Sequence, residues 1–358
     1  MKGRRLAALA ILMIAAIGCG TTNRFVYVVG RGTNSVFGFL QRPAGTLVPL
    51  SSAFSTDSVP VSVISHPSGK FVYVANFAAG NVTLFSTSSN GNLNVPKDPI
   101  SNNVLGPFNA GTNPIALGVT SDGKFLYVLN QGSNNIAAFS IDGSTGNLTV
   151  VSGSPFATVA APQSIAVAPN NKSLYVANPA AGTVSGFAIS SSGALSAISG
   201  SPFAAGTSPS FVIVDHQSKL LYVADSSKNA VLGFSLDANG MPSSISGSPF
   251  ATGTNPVSIA IDSKNSLLAV ANQGSNNVSI YSVSGSGGLS QISGSPFATG
   301  GTGPVFVVID PTNRFLYAGD GTSNDLAAFS LSGGKLSSIS GSPFGLGTSP
   351  VWITTTTQ

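Results

Sequence analysis

SPFATGTNPVSIAIDSKNSLLAVANQGSNNVSIYSVSGSGGLSQISG, residues 248–294, is one copy of a unit that begins again at once with Ser-Pro-Phe at 295. The tripeptide stands at 154, 201, 248, 295 and 342, a constant spacing of 47 residues. A fixed period of that length marks an array of like supersecondary units, none of which can bury its apolar faces alone. A second marker, a proline leading an alternating apolar segment, falls at Pro60, Pro114, Pro162, Pro209, Pro256, Pro304 and Pro350, which raises the count to seven.

Each unit holds four short segments rich in Val, Ile, Phe and Tyr, parted by Gly, Asn, Asp and Ser at turn positions. In the third unit Pro114 leads into IALGV, and Ser121-Asp122-Gly123 turns into FLYVLN (125–130). NQGSNN then turns into IAAFSI (136–141), and Asn147 opens NLTVV. Four such strands form one antiparallel meander, and meanders stacked around an axis form a propeller. The fold class expected is therefore all-β, a seven-bladed propeller of four-stranded blades. The first unit starts with a second strand, RFVYVVG (24–30), and the chain finishes with a lone first strand, PVWITTT (350–356). The two partial ends sum to one blade, so the ring is expected to close by pairing of Val351–Thr356 with Phe25–Val29, leaving no open sheet edge.

Repeated residues are read first as packing. The proline of GSPF is expected to cap the outer strand while its phenylalanine enters the seam between blades. The tyrosines at 27, 73, 127, 175, 222 and 317 share one strand position and are expected to pack between blades with their hydroxyls hydrogen-bonded.

The N-terminus differs in composition. Lys2, Arg4 and Arg5 precede an apolar run of 12 residues, Leu6 to Ile17, followed by Gly18-Cys19. That run is too short for a membrane span, which needs about 18 or more residues, and fits a secretory signal. Ala16-Ile17-Gly18-Cys19 resembles a lipoprotein cleavage site, so the expected organisation is a signal over 1–18, a tether over 19–23 carrying a lipid on Cys19, and one propeller domain over 24–358. The location expected is the cell envelope, as an outer-membrane lipoprotein or a periplasmic or extracellular protein. Gly20, rather than Asp, follows Cys19. Cys19 is the only cysteine, so no internal disulfide can form and stability must come from packing.

Charge narrows the partners. Of 15 Lys and Arg, three leave with the signal, and the remaining 12 face 11 acidic residues, all of them Asp. No basic cluster could neutralise a row of phosphates, so nucleic acid is not an expected partner. No His, Cys or carboxylate cluster has metal-ligand spacing, and Gly30-Arg31-Gly32 is too short for a dinucleotide loop, so no cofactor is expected.

The segments FVYVAN, FLYVLN and LYVAN, each following a tight turn such as Ser-Gly-Lys or Asp-Gly-Lys, resemble the seven-bladed lactonase family, the phosphogluconolactonase-like propellers, and the related YVTN repeats of surface proteins. The resemblance implies a site where His and Arg follow the proline of the first strand and an acid follows the Asn that ends the second. Here the residues two after the proline are Ser62, Ala116, Ser164, Phe211, Ser258, Phe306 and Trp352. Those one after it are Val61, Ile115, Gln163, Ser210, Val257, Val305 and Val351. Neither set contains His or Arg. The slot after the second strand holds Arg31, Phe77, Gln131, Pro179, Ser226, Gln273 and Gly321, with no carboxylate.

His66 and His216 fall in turns between first and second strands, on the opposite face. Asp122, Asp262 and Asp310 read as turn formers there, and Arg24 and Arg314 begin second strands on that same face. The face built by the loops between second and third strands keeps Arg31, Asp225, Lys228, Asp320 and Asp325, with Asp57 near it. If the chain is catalytic, Asp225 or Asp320 is the expected base and Arg31 the anion-binding group. If it only binds, Arg31, Asn130, Gln131, Asn272 and Gln273 are the expected contacts. The first reading is a monomeric, non-catalytic binding or scaffold propeller whose partner is a protein or a glycan, touching the membrane only through the Cys19 lipid. The second is a divergent lactonase acting on a sugar-type lactone. A structural role in a surface layer ranks third.

Overall fold

The alternation of each unit is realised as an antiparallel sheet, and seven such sheets surround one axis in the computed structural model, which describes residues 23–50 and 53–357. Blade three shows the common plan: Pro114–Val119, Phe125–Asn130, Asn135–Ile141 and Leu148–Val150 pair in order from the axis outward. Blade one is composite. Arg24–Gly30, Ser35–Gln41 and Leu47–Pro49 are joined at the axis by Pro350–Thr357, with Phe25 opposite Thr356 and Val29 opposite Trp352. The ring therefore closes as expected, by main-chain hydrogen bonds between the two ends of the domain.

The blades carry a fifth strand that the sequence reading did not include. Phe156–Ala157 returns to the start of the third strand, where Phe156 pairs with Ile136. The third strand, Asn135–Ile141, is longer than the outer one, Leu148–Val150, and the extra strand covers the edge left free. This corrects the expectation that proline caps the outer strand, which ends at Val150, before the Ser-Pro-Phe turn. The serine of that turn fixes it: the third-strand N–H groups of Ala138, Gly186, Gly233, Ile280 and Ala328 donate to Ser154, Ser201, Ser248, Ser295 and Ser342 Oγ at 2.8–3.0 Å. Gly106-Pro107-Phe108 is the corresponding turn of blade two. Its Phe108, like Phe156, is half-buried in the seam toward the next blade, as expected.

There is no single central core. Seven apolar clusters each straddle two neighbouring blades; in one, Leu129 and Ile136 of blade three meet Leu174 and Val176 of blade four. Second strands are covered on both faces, so Phe71–Asn76 is buried along its whole length, whereas the outer Leu148–Val150 buries only its first residue.

Tyrosines bolt these seams. Tyr27, Tyr73, Tyr127, Tyr175, Tyr222 and Tyr317 are fully buried. Each donates its hydroxyl at 2.6–3.0 Å to a glycine carbonyl of the next blade, respectively Gly91, Gly146, Gly193, Gly240, Gly287 and Gly45. Burial raises the Tyr27 and Tyr127 hydroxyls above the usual tyrosine range, so they remain protonated donors. Blade six has Ala269 in this slot, and there Ile292 packs beside Gly334 of blade seven. The Tyr317–Gly45 bond spans the closing seam between blades seven and one.

Two outcomes follow for stability. Removing 350–358 deletes the inner strand of blade one and Trp352, and calorimetry is expected to show a broadened, non-two-state melt at lower temperature; an unchanged cooperative melt contradicts closure by that strand. Tyr317→Phe leaves the Gly45 carbonyl without its donor and is expected to cost about 1–2 kcal/mol in denaturant unfolding.

Candidate functional site

The first strands open with a backbone irregularity that builds the site. In blades two, three, five, six and seven the pairing register slips between the proline and the residue two after it. The residue between them is left out of the ladder and re-aimed, as bulges do. Val61, Ile115, Val257 and Val305, joined by Val351 of the closing strand, accordingly line a cup of about 290 Å³ at the axis. Just ahead of the proline the chain turns through positive φ, at Asn113 and Asn255 for instance. The Asn of the loop between second and third strands holds that turn: Asn134 and Asn229 side chains accept from the Ala161 and Asn255 N–H groups at 2.8 Å.

Phe211 and Trp352 form the floor, their ring centroids 5.7 Å apart and tilted by 33°. The same pair also lines a second, apolar cavity of about 270 Å³ that opens toward the opposite face, where His216 lies at its edge. Blades five and one thus fill the middle of the channel with aromatics and blade seven adds Phe306 to the wall of the second cavity, while blades two, three, four and six put Ser62, Ala116, Ser164 and Ser258 at the matching position.

Polar groups in the cup are few. Arg31 enters from the single helical turn Arg31–Thr33, is exposed, and makes no ion pair among the described residues. Gln163 and Gln273 also line the wall. Ser210 does as well, but its hydroxyl is already hydrogen-bonded to the Pro256 carbonyl at 2.8 Å. The cup offers one fixed cation and two amides against an apolar wall.

The remaining residues singled out from the sequence lie elsewhere. Asp225 is wholly buried, and its carboxylate accepts from the Thr207, Ser208, Ser227 and Lys228 N–H groups at 2.6–3.1 Å. It clamps two loops together and does not border the cup. Asp320 is also wholly buried and does not border the cup; burial, with the Asp325 charge beside it, pushes its carboxyl up to about 7. Asn130 and Asn272 are fully buried, donating at 2.8 Å to Asn135 and Asn277, so they support the loops from beneath. Gln131 lies on the rim, where its amide donates to the Pro162 carbonyl at 3.3 Å. Asp57 accepts from the Asn81 amide at 2.8 Å. Of the residues named for binding, Arg31 and Gln273 meet in the cup, and Gln163, Phe211 and Trp352 join them. These three stand one or two residues after the proline, and that this region faces the axis is not a sequence pattern.

On the opposite face His66 is buried, with Nε2 2.9 Å from the Gly123 carbonyl of the next blade and Nδ1 against Ser68, which makes it a turn and seam residue. Asp262 and Asp310 accept the N–H groups that open the second strands of their blades. Cys19 lies outside the described residues. Among those described, no helix is long and apolar enough to cross a membrane, and no group of three or more His, Cys, Asp or Glu is gathered as a metal centre would require.

With this geometry in hand, the comparisons agree with the resemblance read from the repeats. A family model described as "Lactonase, 7-bladed beta-propeller" matches residues 100–206. The structure is similar to that of a putative 6-phosphogluconolactonase from Bacteroides fragilis, at 20% identity, covering 94% of this chain and 99% of that one with a TM-score of 0.78. It is similar also to the Pseudomonas aeruginosa periplasmic gluconolactonase, at 16% identity, 94% and 99% coverage and a TM-score of 0.76. Kuenenia stuttgartiensis hydrazine synthase matches at 17% identity, 86% and 92% coverage and a TM-score of 0.63. No curated protein matches the sequence. At these identities the likeness is one of fold, and neighbours with such different names share it.

Asp225→Ala strips the acceptor from four N–H groups and is expected to cost about 3 kcal/mol in denaturant unfolding. Asp225→Asn, which keeps one acceptor oxygen, should cost less. Equal stability of the alanine variant would contradict the clamp.

Proposed function

We propose that this protein is a binding propeller whose cup takes an acidic saccharide, such as a sugar acid or the acidic end of a glycan, without hydrolysing it. One observation carries the reading: the cup sets a single unpaired guanidinium and two amides against valine, isoleucine and tryptophan, while the buried carboxylates of Asp225 and Asp320 are not in its wall. Arg31 would hold the carboxylate by charge-assisted hydrogen bonds. Gln163 and Gln273 would meet hydroxyls, and the apolar wall and Trp352 would cover the C–H face of the ring. Activating a water for lactone opening needs a base within hydrogen-bond reach of it, and the side chains that border the cup supply none.

The protein acts outside the cytoplasm on this reading, held by Cys19 after the signal of residues 1–18 is removed. The geometry of blade one supports that arrangement. Arg24 begins its strand on the face opposite the cup and the strand runs toward Arg31, so a tether before Arg24 would leave the cup facing away from a membrane.

A lactone hydrolase is the second reading, and the family match over residues 100–206 favours it. A sugar acid is the product of such a reaction, so both readings use the same cup. They separate by turnover. Calorimetric titration of the chain 20–358 with sugar acids is expected to show binding that Arg31→Ala weakens by about 10-fold or more, the worth of one charge-assisted contact, with an unchanged melting temperature. Hydrolysis of sugar lactones above the spontaneous rate would replace the binding reading with the hydrolase; absence of both binding and turnover would sink the two together.

A further inference from the structure

One slot repeats around the ring, where the last residue of the second strand pairs with the first residue of the third. In blades two, three and six it holds two asparagines. There the amide of Asn76, Asn130 or Asn272 donates at 2.8 Å to Oδ1 of Asn81, Asn135 or Asn277. Blade five has Asp225 opposite Ala230, and its carboxylate is satisfied by four N–H groups. Blade seven alone has two acids there, Asp320 opposite Asp325.

The acid pair is left incomplete. Asp320 is 0% exposed, and no backbone N–H reaches its carboxylate, which has only the Thr299 hydroxyl and the Asp325 carboxyl beside it; Asp325 Oδ1 is buried and unpartnered as well. The N–H of Thr302, which could have served, donates instead to Ser323 Oγ at 2.8 Å. These oxygens converge on Gly301. A methyl group built on Gly301 would stand 2.5 Å from Asp320 Oδ2, 2.6 Å from Asp325 Oδ1 and 2.6 Å from Ser323 Oγ. A methyl group built on the matching glycines, Gly111 and Gly253, would instead meet the amide nitrogens of Asn130 and Asn272, at 2.7 and 2.8 Å. Blade seven thus puts oxygen where those blades put a donor.

Buried oxygens without donors cost several kcal/mol unless a positive centre joins them. Two carboxylates and a hydroxyl, all hard oxygen ligands converging beside Gly301, are what calcium takes, and a ligand set of two charges suits the weak, millimolar class of site. We propose that Asp320, Asp325 and Ser323 bind a divalent cation of the calcium type at the seam between blades six and seven.

The site adjoins the cup without being part of it. The Gly321 carbonyl accepts from Ser349 Oγ at 2.8 Å, and the Ser349 carbonyl accepts from the Arg31 N–H at 3.3 Å. A cation there holds the loop of blade seven to the ends of its second and third strands, and so braces the rim that carries Arg31. The assignment does not depend on what the cup binds.

Thermal melts and calorimetric titration of the purified protein after EDTA treatment and dialysis test it, with calcium chloride as the probe. The expected result is one bound calcium per chain and a melting temperature that climbs by about 2 °C or more as calcium passes into the millimolar range. The paired change Asp320→Asn with Asp325→Asn recreates the amide pair of blades three and six. It is expected to fold, to melt near the calcium-loaded temperature of the wild type, and to ignore calcium. The proposal is overturned if 10-fold steps of calcium up to about 10 mM, ample for a site of this class, leave the wild-type melt and heat unchanged. It is equally overturned if the paired variant responds to calcium as the wild type does. A wild-type melt that rises only on acidification from pH 8 to 6 would show the pair closed by a shared proton, which also overturns it.

Discussion

A four-stranded meander has two apolar faces and cannot cover either by itself, and every other feature of this molecule answers to that constraint. The second strands show it most directly: they are buried on both sides because each is pressed between two neighbours. Stability is therefore held in seams, and the chain repeats one device at six of them, a buried tyrosine hydroxyl that crosses to a glycine carbonyl of the next blade. A ring of seams must also end where it began. The strand Pro350–Thr357 meets that need by pairing with Arg24–Gly30, and in doing so it places Trp352 on the axis.

Equivalence by repetition makes departures from it informative. At the slot that ends the second strand, an amide pair in three blades becomes a lone capped carboxylate in blade five and an uncapped carboxylate pair in blade seven. The same residue type, Asp, is thus a loop clamp at 225 and an unsatisfied group at 320. What separates the two is whether the neighbouring backbone offers N–H groups. Around the axis the substitutions run the other way: serine and alanine give way to Phe211 and Trp352, which divide one channel into a polar-rimmed cup and an apolar cavity opening on the opposite face.

A lactonase-like propeller fold is shared by proteins named for different chemistry, so the cup must be judged by its own groups. Bulges after the prolines aim valine and isoleucine inward and leave Arg31 as the one cation there. The carboxylates of Asp225 and Asp320 are folded away beneath the loops and do not border the cup.

The sequence alone determined the architecture, because a period of 47 residues, four alternating segments and two complementary partial ends admit one economical solution, a closed ring of seven meanders. It also determined the seam role of the tyrosines, since a large apolar residue with one polar tip at a constant strand position must pack and bond between blades. Tertiary structure alone decided the fifth strand, which exists because the third strand outruns the fourth, and the N–H from which each periodic Ser-Pro-Phe serine accepts to anchor it. It decided also which polar residues face the cup. Asn130 and Asn272 read from the sequence as rim residues, yet the turn folds over them, whereas Gln163 is brought inward from an unremarkable slot. Pairing of Asp320 with Asp325 is visible in the sequence as a spacing; that no backbone N–H caps Asp320, as four cap Asp225, is a property of the packed loops around Gly301. Period and polarity follow from chain chemistry along the sequence, but the satisfaction of a buried polar group depends on neighbours that only folding supplies.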